Sequence, residues 1–118
     1  LGKCVPNLPV RDAPSAIQWY MEVLGFTMDF DDAVLGFNHT MYACLSRDEF
    51  TICINEHDDS EEPHDLWCNV DGIHDLYEEF VGKEVEDLGK PQKMPWGSFE
   101  MKIKDPNGHV ICFTQDEK

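Results

Sequence analysis

Residues 5–24 read VPNLPVRDAPSAIQWYMEVL and residues 66–80 read LWCNVDGIHDLYEEF; the two stretches share one plan, and that plan decides the fold. Each opens on a short run of strand character and passes through an aspartate, Asp12 or Asp71, into a helical pattern. Asp12 is placed to cap the first helix, with Pro14 in its first turn. Ile17, Tyr20, Met21 and Leu24 then fall at i, i+3, i+4 and i+7, and Ile73, Leu76, Tyr77 and Phe80 repeat that spacing. Gly25 is read as the end of the first helix, and Gly82 lies beyond the second.

On either side of these helices the pattern turns to strands. Val5–Val10 precedes the first helix, and Phe26–Phe30, Met41–Leu45 and Phe50–Ile54 follow it. Leu66–Val70 precedes the second, followed by a weaker strand around Pro91–Met94 and by Ser98–Lys104 and His109–Thr114. The last two are joined by Asp105-Pro106-Asn107-Gly108, with Asp at i, Pro at i+1 and Gly at i+3, as a type I turn prefers. Strand, helix and three strands thus occur twice. The expectation is an α+β chain of two βαβββ modules, 3–56 and 64–116, joined by an acidic connector, 57–63. The connector's acids do not follow EF-hand spacing, so it is read as a solvated loop. Such a doubled unit places two curved mixed sheets around a cleft in which ligands would bind. At 118 residues the chain has room for one core, and 1–118 is expected to be a single domain.

Twenty-four acidic against nine basic residues give a formal charge of −15, which opposes binding to nucleic-acid phosphates and to anionic membranes. Solubility alone accounts for such acidity; an acidic cleft that draws in a cationic ligand is the alternative. No apolar run reaches the roughly 18 residues a membrane helix requires, and Leu1–Pro6 lacks the apolar segment of a signal peptide. Cys4, Cys44, Cys53, Cys68 and Cys112 form no C-x-x-C pair and sit among apolar neighbours. Reduced, mostly buried thiols and a cytoplasmic location are expected.

An ordered set of segments resembles one family over nearly the whole chain. It comprises Val5-Pro6 with Leu8 and Arg11-Asp12, Leu24-Gly25-Phe26 with Asp29-Phe30, and Trp67–Val70 with Gly72 and Leu76-Tyr77. Pro95-Trp96-Gly97 with Phe99, Asp105-Pro106-Asn107-Gly108 and Phe113 complete it. These are similar to the signature segments of the vicinal-oxygen-chelate superfamily of glyoxalases, bleomycin-resistance proteins and extradiol dioxygenases. The Pro-Trp-Gly segment before Asp-Pro-x-Gly is closest to the bleomycin-resistance branch. The resemblance implies the glyoxalase/bleomycin-resistance fold and a two-fold homodimer whose clefts are shared between subunits.

Enzymes of that superfamily hold a divalent metal on four strands. By the resemblance, those positions fall near Val5, Cys53, His64 or Asp65, and Cys112. Valine binds no metal, and two thiols would favour zinc or another soft ion over iron, manganese or nickel. No metal site, cofactor or catalytic residue is therefore assigned. His64 and Asp65 are read as a surface pair at a strand entrance. His39, His57, His74 and His109 fall in loops, a helix start and a turn, without H-x-H or H-E-x-x-H spacing.

What remains is a set of candidate ligand contacts. Alternation places Trp67 and Asn69 on the strand face of Asp65. The resemblance matches Trp67, Trp96 and Tyr42 to aromatics lining the bleomycin-resistance groove. Asp29, Asp31, Asp32 and Glu100 would meet positive charge on the ligand. Each has a plainer reading: Trp67 as core, Trp96 as loop packing, the aspartates as a solvated hairpin. An insertion around Gly36-Phe37-Asn38-His39 is expected to reshape the groove's edge. The leading expectation is non-catalytic sequestration of a cationic aromatic small molecule, such as a bleomycin-type glycopeptide antibiotic. The alternatives are a metal-dependent lyase or dioxygenase, with an atypical site at His64 or Asp65 and the cysteines, and a divergent metabolite-binding module.

Overall fold

The computed structural model describes residues 4–32, 41–56, 63–83, 85 and 88–116. The order is β1 (Asn7–Val10), α1 (Ala13–Glu22), β2 (Thr27–Asp31), β3 (Tyr42–Arg47) and β4 (Phe50–Glu56), then β5 (Asp65–Asn69), α2 (Ile73–Val81), β6 (Gln92–Lys93), β7 (Ser98–Lys104) and β8 (Val110–Asp116). The chain separates into two compact units, Leu1–Glu62 and Pro63–Lys118, whose boundary falls in the acidic connector. Each unit is one four-stranded mixed sheet with one helix, ordered β1-β4-β3-β2 and β5-β8-β7-β6. In both, the first strand runs parallel to the last and the remaining pairs are antiparallel. This is the expected βαβββ plan, made twice. The insertion at 36–39, His39, His57 and most of the connector lie outside the described residues.

Alternation divides each sheet into a helix-packed face and an open face. In the first unit Leu8, Val10, Ala43, Leu45, Ile52 and Ile54 are buried with Ala13, Ala16, Ile17, Tyr20 and Leu24 of the helix segment. Met21, expected on that stripe, is exposed: the buried side of the helix is centred on Ala13, Ala16, Ile17 and Tyr20. In the second unit Ile73 and Phe80 are buried with Met101, Ile103, Ile111 and Phe113, while Leu76 and Tyr77 are half-buried.

The two helices start from different caps, extended Asp12 and left-handed Gly72, yet each borrows an acceptor from the end of its module's last strand. Asp12 occupies the cap position of α1 in extended backbone, but its carboxylate accepts the Ser15 hydroxyl at 2.7 Å and no main-chain N–H. The first helical N–H, of Ala13, donates instead to Glu56 Oε2 at 2.9 Å, from the end of β4. At α2, Ile73 N–H donates to Gln115 Oε1 at 2.7 Å, from the end of β8. A carboxylate or amide from the module's last strand thus satisfies a donor that no local side chain reaches. Helix α1 ends at Glu22 with Val23 as its C-cap, two residues before the expected Gly25. Gly25 holds the left-handed turn after it, at φ +73, where a Cβ would sit 3.1 Å from Arg47 Nη1. That guanidinium donates to the Leu24 carbonyl at 2.8 Å.

The Asp105–Gly108 turn forms as read. Gly108 N–H donates to the Asp105 carbonyl at 3.0 Å, and the buried Asp105 carboxylate accepts from the N–H of Asn107 at 2.9 Å and of His109 at 2.8 Å. Strand β1 begins at Asn7 and not at Val5, which is exposed ahead of it. Pro6 lacks a donor, and only its carbonyl joins the ladder, accepting from Cys53 N–H at 2.9 Å. The thiols are less buried than expected: among the five only Cys112 is buried, Cys4 is exposed and Cys44, Cys53 and Cys68 are half-buried.

Candidate ligand-binding site

The open face of the first sheet is built from Asn7, Phe30, Tyr42, Cys44, Cys53 and Asn55, which share a face through the registers Asn7↔Cys53, Cys44↔Cys53, Phe30↔Cys44 and Tyr42↔Asn55. Phe30 reaches this face through a bulge. Plain alternation from Phe26 and Met28 would send it toward the helix, but the register shifts between Met28 and Phe30, leaving Asp29 as the extra residue. Phe30 is 42% exposed, and its ring meets that of Tyr42 edge-on, centroids 6.1 Å apart. It is a site aromatic that sequence reading missed, because a bulge shows only once β2 is paired to β3.

Tyr42 is half-buried with its hydroxyl 3.4 Å from both Cys53 Sγ and Cys44 Sγ. The hydrogen bonds with Cys44 and then Cys53, followed by burial, push its ionisation above the usual phenol value. Burial, and then the hydrogen bond with Cys44, pushes the Cys53 thiol up as well. The three candidate acids of this unit, Asp29, Asp31 and Asp32, differ in their surroundings. Asp29 is exposed at the bulge and Asp31 is half-buried opposite Ala43. Asp32 is only 8% exposed, and its two carboxylate oxygens accept from Met41 N–H at 3.2 and 3.1 Å. That carboxylate holds the chain where it enters β3.

The open face of the second sheet carries charge. Asp65, Trp67 and Asn69 of β5 stand beside Val110, Cys112 and Thr114 of β8, which pair in turn with Lys104, Lys102 and Glu100 of β7. Trp67 is 63% exposed, so the core reading of this residue is set aside; Trp67, Lys102 and Cys112 share a small depression of about 80 Å³ with Asp65, Leu66 and Val110. Trp96 is 70% exposed at the tip of a turn closed by Gly97 N–H to the Met94 carbonyl at 2.9 Å and Met94 N–H to the Ser98 carbonyl at 2.7 Å. Loop packing does not account for it. Asn69 is exposed at the end of β5.

Glu100 is the contrast to these exposed groups. Only 7% of it is exposed, and its oxygens accept from the Ser98 hydroxyl at 3.5 Å and the Cys112 thiol at 3.7 Å, both long contacts for a largely buried carboxylate. It lines a groove of about 240 Å³ with Gly89, Lys90, Gln92, Met94 and Lys102. Burial first, then the charge of Glu100 and the hydrogen bond to it, pushes the Cys112 thiol up to about 11.

His109, read as a turn residue, is fully buried just beyond the turn; its Nδ1 accepts His64 N–H at 2.9 Å, and the two rings meet edge-on at 5.3 Å. Among the described residues, no group of three or more His, Cys, Asp or Glu side chains is gathered to hold a metal ion. Cys53 has Cys44 and Tyr42 for neighbours, Cys112 has Glu100, and Val5 offers no donor. Of the positions the resemblance implies, His64 and Asp65 keep hard donors at the exposed entrance of β5.

Searching curated proteins produced no match. Solved structures share the fold along the whole chain. TioX from Micromonospora sp. ML1 superposes with a TM-score of 0.86 at 17% identity, covering 99% of this chain and 100% of that one. A bleomycin resistance determinant encoded on the transposon Tn5 gives 0.83 at 23% identity, with 100% of both chains covered. The bleomycin-binding protein of bleomycin-producing Streptomyces verticillus, solved with copper(II)-bleomycin, gives 0.80 at 22%, covering 99% of this chain and 98% of its own. At these identities the likeness speaks to fold alone. The family model described as the Glyoxalase/Bleomycin resistance protein/Dioxygenase superfamily matches residues 2–113, and with the doubled βαβββ plan and its open sheet faces the chain belongs to that superfamily.

Proposed function

We propose that the protein binds, without transforming it, a cationic aromatic small molecule of the bleomycin-glycopeptide type, and acts by sequestration as a cytoplasmic homodimer. The observation that carries this reading is Glu100: a buried carboxylate with two long contacts, opening on a 240 Å³ groove on the sheet face that also presents Trp67. A ligand ammonium or guanidinium would supply the short, charge-assisted hydrogen bond that this carboxylate lacks. Trp67 and Trp96 offer exposed indole faces for a flat heteroaromatic group. Lys90, Lys102 and Gln92 in the same groove are donors suited to amide carbonyls of a peptidic ligand. The net charge of −15 favours approach of a cation at low salt. Bleomycin-binding proteins among the structural neighbours supply the ligand class, and sequestration needs affinity and abundance but no nucleophile or base.

A tryptophan-fluorescence titration with a bleomycin-type glycopeptide at low and moderate salt tests it. Saturable, salt-weakened quenching is expected. Glu100→Gln should weaken binding roughly tenfold to a hundredfold, as loss of a hydrogen bond to a charged group worth about 1.5–3 kcal/mol implies. Trp67→Ala should weaken it several-fold, from roughly 0.5–1.5 kcal/mol of stacking. Absence of quenching at both salts, or metal-dependent turnover of a thiol adduct or catechol, rejects the reading.

A further inference from the structure

Cys44 and Cys53 stand directly opposite each other on β3 and β4, on the open face of the first sheet. Two hydrogen bonds define the kind of pair they form. Cys53 N–H points to the neighbouring strand on the other side, donating to Pro6, and Glu56 N–H donates to Met41, the residue before Tyr42. Tyr42↔Asn55 is therefore a non-hydrogen-bonded pair, and so, two residues along, is Cys44↔Cys53. At such a pair the Cα atoms are about 4.5 Å apart and the side chains lie at their closest, inside the separation of roughly 4.4–6.8 Å that a disulfide spans. The two sulfurs are 2.8 Å apart. A two-coordinate ion held linearly between thiolates would need them roughly 4.6 Å apart, twice a metal–sulfur bond of about 2.3 Å, so the spacing suits a direct sulfur–sulfur bond and not a bridging ion. Both side chains are half-buried and not sealed in the core, so a small reagent can reach them.

From this geometry we infer that Cys44 and Cys53 are a dithiol modification site, converted to a cross-strand disulfide by exchange with a low-molecular-weight disulfide such as glutathione disulfide. One thiolate attacks a sulfur of the reagent, forming a mixed disulfide and releasing one small thiol. The second thiolate attacks the protein-side sulfur of that mixed disulfide, forming the Cys44–Cys53 bond and releasing the second small thiol. The two protons leave with the small thiols; the protein dithiol is oxidised by two electrons and the reagent disulfide is reduced. Closure also removes the thiol hydrogen that Tyr42 accepts from Cys44, so the hydroxyl of a candidate ligand contact changes partners.

The test uses the folded, reduced chain incubated with glutathione disulfide at neutral pH, quenched by alkylation and cut by a glutamyl endoprotease. Cleavage after Glu22, Glu49 and Glu56 leaves Cys44 alone in 23–49 and Cys53 alone in 50–56. The expected result is these two peptides joined by a reducible link, with both thiols lost to alkylation. In Cys53→Ser, glutathione should stay on Cys44, because no neighbouring thiol displaces it. The inference is overturned if wild-type Cys44 or Cys53 retains glutathione without the cross-link. It is equally overturned if both remain free while the exposed Cys4 is modified.

Discussion

Cys53 and Cys112 occupy the same place in two copies of one design, and their surroundings could hardly differ more. Each lies on the open face of its sheet, in the last strand of its module, with a parallel neighbour on one side and an antiparallel one on the other. Cys53 stands between Asn7 and Cys44, beneath the Tyr42 hydroxyl; Cys112 stands between Trp67 and Lys102 and donates to Glu100. Burial is the foremost cause that raises both thiols. The backbone plan therefore fixes where a residue stands, while its neighbours across the strands fix how dry it is and what it can do. One module presents an uncharged thiol–phenol surface, the other an indole, a carboxylate and ammonium groups.

The largest effect should come where the modules are alike. Ile52 in β4 and Ile111 in β8, each one residue before its strand's cysteine, are fully buried on the helix-packed faces, and replacing either by alanine should destabilise by roughly 2–5 kcal/mol in denaturant unfolding. A near-zero cost at one of them would break the equivalence. The pH dependence of stability should test the second module's thiol next. The folded-state value of Cys112 lies above its ordinary 9.0, at about 11, so the unfolded chain sheds that proton first. The contribution is complete below pH 9.0 and is lost as pH rises toward 11. Thermal unfolding of Cys112→Ala should accordingly fall less steeply across that window than wild type; an unchanged slope would remove Glu100 and burial as the cause. The smallest effect is expected at Tyr42→Phe, which gives up hydroxyl contacts to two thiols on a half-buried face. The cost should be about 0.5–1.5 kcal/mol by the same denaturant measurement, and a larger loss would show the thiol–phenol cluster to be a structural centre.

The doubled strand and helix order was legible because it rests on local signals: two apolar stripes at helical spacing and the Asp-Pro-Asn-Gly turn, each carried by adjacent residues. Period-two alternation set Trp67 on the strand face of Asp65, but the exposure of Trp67 and Trp96 had to come from the structure, since core and loop packing were equally open readings. What stayed hidden depends on partners far along the chain. Phe30 faces the open side only because Asp29 bulges against β3. Asp32 looked like a free acid until Met41 came round to meet it. His109 looked like a turn residue, yet His64 accounts for its burial as a hydrogen-bonded core group. The Cys44–Cys53 pair is set by the register of β3 on β4, which no spacing in the sequence announces.

The reach of the helix-capping groups bears on how the chain is made. Ala13 waits for an acceptor 43 residues downstream and Ile73 for one 42 residues downstream. A ribosome delivering the chain from its N-terminus therefore exposes each helix well before the residue that completes its first turn. Short helices are marginal by themselves in water, so α1 gains its full hold only when β4 has emerged, and α2 only when β8 has. Each module is thus synthesised as a unit whose last strand closes its first helix.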